Sequence, residues 1–153
     1  MTLNPAEQEA WQVLLAAHGR GVTNLDAELV SSCDMTLAEY EVLYHLAADG
    51  PDERLRMNEL AERARLSPSG LTRRFDSLVR RGWVMRERCD HDPRGVYARI
   101  TPEGLTELDG ARPVHDRTVA DHVFQWLDQD DVDRLQQMLS KVAEAPTGQD
   151  VPF

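Results

Sequence analysis

Apolar residues recur at three- and four-residue steps along most of this chain of 153 residues, and that spacing places them on one face of an α-helix. Asn4 and Pro5 supply a cap and a first-turn proline for a first helix, which the pattern extends to about Val30. Thr36 caps a second apolar run, which stops at the turn-forming residues 49–51. The N-terminal third is therefore predicted to form two helices.

The middle of the chain predicts a strand and two shorter helices. Residues 55–57 fit a very short strand, and Asn58 fits the cap of the helix after it. Ser67 and Pro68 repeat the signal of a capping residue followed by proline, and Gly82 closes the helix that they open. The pattern predicts two helices joined by a tight turn.

The second of these helices has two very different sides. Its apolar stripe contains Leu71, Phe75, Leu78 and Val79, which predicts a buried face. At about 100° per residue, the opposite face carries short or charged side chains. These are Ser69, Arg73, Asp76, Ser77 and Arg80. The outward face is therefore slim at its start and cationic further along.

Helical spacing disappears after Gly82. Val96, Ala98 and Ile100 alternate with more polar side chains, which is typical of a half-buried strand. Residues 89–95 are rich in turn formers. A β-hairpin with a charged tip is predicted here.

The last third returns to helical spacing. Thr101 and Pro102 open a helix that Pro113 is expected to interrupt or bend, and Asp128 caps a final helix. Residues 146–153 are expected to form a flexible tail. The predicted fold class is therefore mainly α with one small β-hairpin.

Charge is distributed very unevenly along the chain. The formal net charge is −10 at pH 7, yet residues 54–99 hold 12 of the 17 basic side chains and 6 of the 27 acidic ones. This stretch is therefore +6 and the remainder is −16. A local cationic surface is a simple way for an acidic protein to bind a polyanion such as nucleic acid.

The sequence argues against a membrane protein and against a secreted one. There is no run of about 18 apolar residues and no secretory pattern at the N-terminus. Only Cys33 and Cys89 are present, which is too few for a disulfide framework. We expect a cytoplasmic protein with no membrane partner.

The two middle helices match the helix-turn-helix arrangement, in which the second helix enters the major groove of DNA. Ser69 and Gly70 allow a close approach to bases and phosphates at the helix start, where the helix dipole also favours an anion. Arg73 would then reach a guanine. The flanking cations Arg74, Arg80 and Arg81 are predicted phosphate contacts. Asp76 lies four residues before Arg80, so it can pair with Arg80 and compete with a phosphate.

The predicted hairpin adds another cation, Arg94, near its tip. An arginine at the end of a thin hairpin can enter an A·T-rich minor groove, whose narrow width deepens the negative potential. The hairpin is therefore a second candidate DNA contact.

Several short motifs in the chain resemble one known family. They are Leu60-Ala61-Glu62-Arg63, Leu66-Ser67-Pro68-Ser69, and Asp92-Pro93-Arg94 followed five residues later by Ile100-Thr101-Pro102-Glu103-Gly104. From about residue 6 to residue 142 the chain resembles a MarR-type winged helix-turn-helix regulator. Pro93 departs from the family pattern, because many members carry another arginine there.

The resemblance implies a homodimer that binds a pseudo-palindromic operator in double-stranded DNA, most often as a repressor released by a small ligand. It implies an N-terminal dimerisation helix (1–35), a winged helix-turn-helix DNA-binding domain (36–101), C-terminal dimerisation helices (102–145) and the tail. By similarity the recognition helix is 67–81. The implied DNA-binding residues are Ser67, Ser69, Gly70, Thr72, Arg73, Arg74, Arg80 and Arg94. Neither catalysis nor a cofactor is expected.

Five residues are candidates for the site of an aromatic or phenolic effector. Ligands of the family bind between the dimer-forming helices and the DNA-binding lobe. The residues that could line such a cavity are Trp11, His18, Tyr40, Tyr44 and His45. Aromatic residues at helical spacing are, however, more often part of the core, and that alternative stays open.

Two sensing roles are weaker hypotheses. His115 and His122 could share a helix face and hold zinc if acidic neighbours converged on them, although histidines at a packing surface are commoner. Asp34 would raise the pKa of the neighbouring Cys33 thiol, which disfavours a redox role, and Cys89 has only a slightly better case. We expect no metal site.

Two other classes of function are alternatives to a DNA-binding regulator. A winged helix can serve protein contacts, with the −16 portion of the chain as the docking surface. An enzyme would need a catalytic signature, but the sequence contains no nucleophile elbow, P-loop, HExxH or dinucleotide fingerprint. The sequence therefore favours a transcriptional regulator.

Overall fold

Six α-helices and a three-stranded antiparallel sheet form the described part of the chain. In this computed structural model that part is residues 2–89 and 92–144, without the side chains of residues 51, 89 and 92–94. The helices are α1 (Pro5–Cys33), α2 (Leu37–Asp49), α3 (Met57–Arg63), α4 (Pro68–Arg80), α5 (Pro102–His122) and α6 (Gln129–Ala143). The strands are β1 (Arg54–Arg56), β2 (Val84–Cys89) and β3 (Asp92–Ile100), in the order β1-β3-β2. The predicted fold class is confirmed. The predicted tail, 146–153, lies outside the described residues.

Five of the predicted helix starts are confirmed by their caps. In each case the capping side chain accepts a hydrogen bond from the backbone N–H three residues later, which satisfies one of the free donors of the first turn. The capping residues are Asn4, Thr36, Ser67, Thr101 and Asp128. Local sequence signals therefore set most helix starts in this protein.

The predicted cap at Asn58 is wrong. The strand β1 ends at Arg56 and α3 begins at the next residue, Met57. Leu55 is buried opposite Ala98 of β3, which fixes the register of the strand. The backbone N–H of Arg56 then donates to the Glu59 carboxylate at 3.1 Å, so Glu59 replaces a capping side chain at this helix start.

Pro113 is expected to interrupt or bend the fifth helix, and the prediction of an interruption is wrong. The helix α5 runs from Pro102 to His122 with Pro113 inside it, and the chain leaves the helix only at Val123. A proline within a helix removes one backbone hydrogen bond, and here α5 packs along both α1 and α2. Those tertiary contacts explain why the helix continues.

The main hydrophobic core lies where α2, α3, α4 and the sheet meet. The predicted stripe of α4 is wrong at Val79, which is 36% exposed. Its other three residues are buried, since Leu71, Phe75 and Leu78 are each at most 1% exposed. They pack in one cluster with Leu43 and Leu46 of α2. This packing fixes which side of α4 faces solvent.

The long helix α1 and the final helix α6 contribute little to that core. Leu25 and Leu29 are the buried residues among the 29 of α1, and no residue of α6 is buried. No helix in the described ranges is long and apolar enough to span a bilayer. Much of the apolar surface of α1 and α6 is therefore open in one protomer.

The start of α5 is pressed against the turn that follows α4. The Thr101 N–H donates to the Trp83 carbonyl at 3.0 Å, and the Thr101 hydroxyl donates to the Gly82 carbonyl at 2.7 Å. A Cβ atom added at Gly104 would lie 2.1 Å from the Trp83 carbonyl oxygen. Only glycine fits at this contact, which joins the end of α4 to α5.

We expect Gly104→Ala to lower the free energy of unfolding by about 1 to 3 kcal/mol, because the added methyl group forces the two segments apart. Gly110→Ala is the matched control in the same helix, where nothing lies within 4 Å of the added Cβ. It should raise the stability by about 0.5 to 1 kcal/mol. Urea unfolding at one protein concentration measures both, and equal effects would contradict the close contact.

Candidate nucleic-acid interface

The start of α4 is narrow and exposed, as predicted. The Gly70 N–H donates to the Ser67 hydroxyl oxygen at 3.1 Å, and the Ser69 hydroxyl lies 3.3 Å from that of Ser67. Ser67 therefore caps the helix, while Ser69 is the exposed side chain of the first turn. Of the two serines, Ser69 has the freer hydroxyl for a DNA contact.

The outward face of α4 presents cations that have no partner in the described part of the chain. Arg73, Arg74 and Arg80 are exposed, and none of them makes an ion pair or hydrogen bond within residues 2–89 and 92–144. The Thr72 hydroxyl donates to the Pro68 carbonyl at 2.9 Å, so the methyl group is the free part of that side chain. This face can accept an anion without breaking an existing contact.

The predicted pairing of Asp76 with Arg80 is wrong. Asp76 Oδ1 instead accepts a hydrogen bond from Arg86 Nη2 at 2.6 Å, and the Arg86 guanidinium lies 5.0 Å from the centre of the Phe75 ring. Arg86 belongs to β2. Arg86 therefore joins the hairpin to α4. Because Asp76 pairs with Arg86, it does not compete with a phosphate for Arg80.

The hairpin carries one outward cation that was not among the residues predicted to bind DNA. Arg88 follows Arg86 by two positions on β2, so it projects on the same side of the hairpin, the side of α4. It is exposed. Strand alternation alone could have identified it. The backbone of Arg94 belongs to β3, but its side chain lies outside the described part of the chain.

Five other arginines of the cationic stretch are bound within the protein. They pair with carboxylates of neighbouring elements, in the pairs Arg54–Glu87, Arg99–Glu87, Arg63–Asp49, Arg81–Asp34 and Arg86–Asp76. Arg81, a predicted phosphate contact, is thus turned towards the end of α1. The charge of +6 counted for residues 54–99 is therefore larger than the number of arginines free to bind an anion would suggest.

Two of the candidate ligand residues line a small cavity between α2 and α5. The cavity has a volume of about 220 Å³ and includes Tyr40 and Tyr44. The ring of His115 stacks on Tyr40 with 4.5 Å between centres, and His115 Nδ1 lies 2.9 Å from Asp116 Oδ1. Arg112 completes the wall. The cavity has room for about one aromatic ring.

The other three candidate ligand residues do not line this cavity, although the ring of His45 packs edge-on against Tyr44 with 5.3 Å between centres. His18 lines a larger groove beside α1, and Trp11 is half exposed near the start of that helix. His45 lies between Asp49, at 2.7 Å, and Glu41, at 3.4 Å. Only the C-terminal end of α1 packs on α2, and so the five residues do not meet in one cavity.

Comparison with known proteins identifies the family to which this fold belongs. Residues 34–95, which contain α2 to β2, match the MarR family. The crystal structure of Sco3205 from Streptomyces coelicolor, a MarR family transcriptional regulator in complex with DNA, is 33% identical with a TM-score of 0.88, and the match covers 99% of each chain. The chain belongs to the MarR family.

Other relatives of this MarR-family chain are regulators too. YkoM of Bacillus subtilis, an HTH-type transcriptional regulator, is 33% identical over 67% of this chain, and the chain spans 64% of the length of YkoM. A cysteine-to-serine variant of MarR from E. coli, complexed with operator DNA, is 26% identical with a TM-score of 0.76, covering 88% of this chain and 92% of that one. The family is one of regulators and not of enzymes.

The buried phenol of Tyr40 has a strongly shifted pKa. Burial raises the pKa of Tyr40 to about 12, and the negative charge of Asp116 acts in the same direction. The hydroxyl therefore stays protonated near neutral pH and remains a hydrogen-bond donor beside the cavity.

The two sensing hypotheses gain no geometric support in this MarR-family chain. His115 stacks on Tyr40, whereas His122 lies 3.2 Å from the Asn24 amide, so the two rings have separate partners. Among the described residues no group of three metal-binding side chains is arranged to hold an ion. Burial raises the pKa of the Cys33 thiol, and Glu107 and Glu28 raise it further, rather than Asp34. The side chain of Cys89 lies outside the described part of the chain.

Proposed function

We propose that the protein is a homodimeric transcriptional regulator that binds double-stranded DNA in a sequence-specific way. The observation that carries this proposal is the outward face of α4, where exposed arginines without a partner among the described residues lie opposite the buried side chains of Leu71, Phe75 and Leu78. The similar structures of Sco3205 and E. coli MarR, both in complex with DNA, support it. The cytoplasm is the compartment where such a function would operate.

Individual roles follow from chemistry and position. Arg73 near the middle of the exposed face would bind the O6 and N7 atoms of a guanine, and the Thr72 methyl group would contact a thymine methyl. Ser69 and Gly70 would lie nearest the DNA backbone at the helix start. Four further cations would contact phosphates or the minor groove: Arg74, Arg80, Arg88 and Arg94. Ser67 would act mainly as the cap.

A second copy of the chain is the partner that the exposed apolar surface fits. A groove of about 1220 Å³ is lined by apolar side chains of α1, α5 and α6. Leu14 of α1 and Leu139 of α6 are each 42% exposed there. Apolar surface on this scale is costly in water, and a two-fold pair would cover it with the same surface of its partner.

Such a dimer would present two copies of α4 to one face of a duplex. In dimeric helix-turn-helix proteins the two half-sites lie about 34 to 36 Å apart, which is one turn of DNA. The operator would then be pseudo-palindromic. Binding there would block transcription, so we propose that the protein is a repressor.

Release would follow from an effector in the cavity beside Tyr40. The walls carry the carboxylates of Glu41 and Asp116 and the single permanent cation of Arg112, and Arg112 already pairs with Asp109 at 3.3 Å. This charge balance disfavours an aromatic carboxylate. A neutral phenol fits better, because its ring can stack on Tyr44 and its hydroxyl can donate to a carboxylate.

DNA recognition is tested first by selecting duplexes from a random pool with the wild-type protein. We expect Arg73→Ala to bind the selected duplex about 5- to 150-fold more weakly, which corresponds to about 1 to 3 kcal/mol for a bidentate base contact. Its affinity for random DNA should change little. Arg74→Ala should weaken both and reduce the slope of log affinity against log salt by about one. If neither change alters DNA affinity, the winged helix serves protein contacts instead.

The dimer is tested by placing a charge in the apolar groove. Leu14→Asp should convert the dimer to a monomer in sedimentation velocity, because a carboxylate would replace an apolar side chain in the surface that the partner covers. Met85→Asp is the control, since Met85 lies 49% exposed on β2 away from the groove. The proposal fails if wild-type protein is monomeric at micromolar concentration, or if both variants behave alike.

The effector site is tested with phenol and benzoate as probes. Phenol should weaken binding of a fluorescent selected duplex by about 5- to 150-fold, the usual range of allosteric coupling, and benzoate should have little effect. Tyr44→Leu should remove the response to phenol while leaving DNA affinity unchanged. An equal response to benzoate would refute the charge argument, and no response to phenol would refute the site.

A further inference from the structure

Arg81 makes three contacts with other residues of the protein at the end of α4. Its Nη1 atom donates to the backbone carbonyl of Asp34 at 2.6 Å, and Nη2 donates to Asp34 Oδ2 at 2.9 Å. The guanidinium also lies 4.5 Å from the centre of the Trp83 ring. Arg81 is the residue directly after α4. The Arg81 side chain therefore donates two hydrogen bonds to Asp34, the residue that ends α1.

The backbone of Asp34 is held in place by its position at the end of α1. It caps α1 in the left-handed conformation, with φ at 51°, and its own N–H donates to the Val30 carbonyl at 3.1 Å. Its backbone carbonyl is thereby held in a fixed direction. The contact joins the helix proposed to read DNA directly to the helix proposed to form the dimer.

The contact is better suited to fixing an angle than to adding stability. The Asp34 carboxylate is 92% exposed, and exposed ion pairs contribute little to the free energy of folding. However, a planar guanidinium that donates to two different oxygens and rests on an aromatic ring can keep only one orientation. Its neighbour Arg80 is exposed and has no partner among the described residues.

We propose that Arg81 is a positioning residue that fixes the angle between α4 and α1 and so sets the half-site spacing that the dimer accepts. This inference rests on the proposed function, because spacing has meaning only for a dimer that reads two half-sites. The residues of α4 nearest the DNA lie about 18 Å from Arg81, at 1.5 Å per residue. A tilt of about 10° would therefore move them by about 3 Å, close to the rise of one base pair.

The test compares duplexes selected from a random pool by wild-type protein and by variants. Arg81→Ala should broaden the distribution of half-site spacings by about one base pair on either side, and each half-site should keep its sequence. Asp34→Gly should broaden it in the same direction but less, because it removes the carboxylate and keeps the backbone carbonyl. Arg81→Lys should broaden it too, because an ammonium group keeps the charge but not the planar fork. Glycine accepts the left-handed backbone of Asp34, so this variant remains informative if Arg81→Ala fails to fold.

The salt dependence of binding to random duplex DNA separates positioning from a phosphate contact. Arg81→Ala should leave the slope of log affinity against log salt unchanged, whereas the neighbouring control Arg80→Ala should reduce it by about one and keep the wild-type spacing.

Two results would overturn the inference alone: wild-type spacing in both Arg81→Ala and Asp34→Gly, or a slope for Arg81→Ala reduced like that of Arg80→Ala. If wild-type protein selects no paired half-sites, the proposed dimeric reader is itself wrong, and the inference fails with it.

Discussion

The burial of one side of α4 is the constraint on which the rest of the structure depends. Leu71, Phe75 and Leu78 are packed into the core against α2, so the rotation of the helix about its axis is fixed. Ser69 and Arg73 must then face solvent, because they lie on the opposite side of the same helix. The exposed surface that we propose for DNA binding thus follows from the hydrophobic effect acting on three residues, and no loop has to be ordered to create it.

The arginines of the cationic stretch divide into two groups with different uses. The first group joins strands and helices between α2 and β3 by pairing with carboxylates. Its members are Arg54, Arg63, Arg86 and Arg99. The arginines on the outer face of α4 have no such partner in the part of the chain that the structure describes. A protein with a net charge of −10 can therefore present a cationic surface only where its own carboxylates do not reach.

Features that depend on neighbours in sequence could be predicted, and features that depend on distant elements could not. The caps at Thr36 and Ser67 need only a residue three positions away. The choice of Asp76 between Arg80 and Arg86 is decided by where β2 lies, and sequence spacing carries no information on that. The cavity at Tyr40 similarly depends on His115, which α5 brings in from 75 positions later.

The central claim, that the exposed face of α4 lies in a major groove, can be measured directly by dimethyl sulfate protection on a duplex selected by the protein. This reagent methylates guanine N7 in the major groove and adenine N3 in the minor groove. Protection of guanine N7 is expected in two patches about 10 base pairs apart, one for each copy of α4, with adenine N3 protected where the hairpins bind. Guanine N7 atoms that stay fully reactive throughout a bound duplex would contradict the claim.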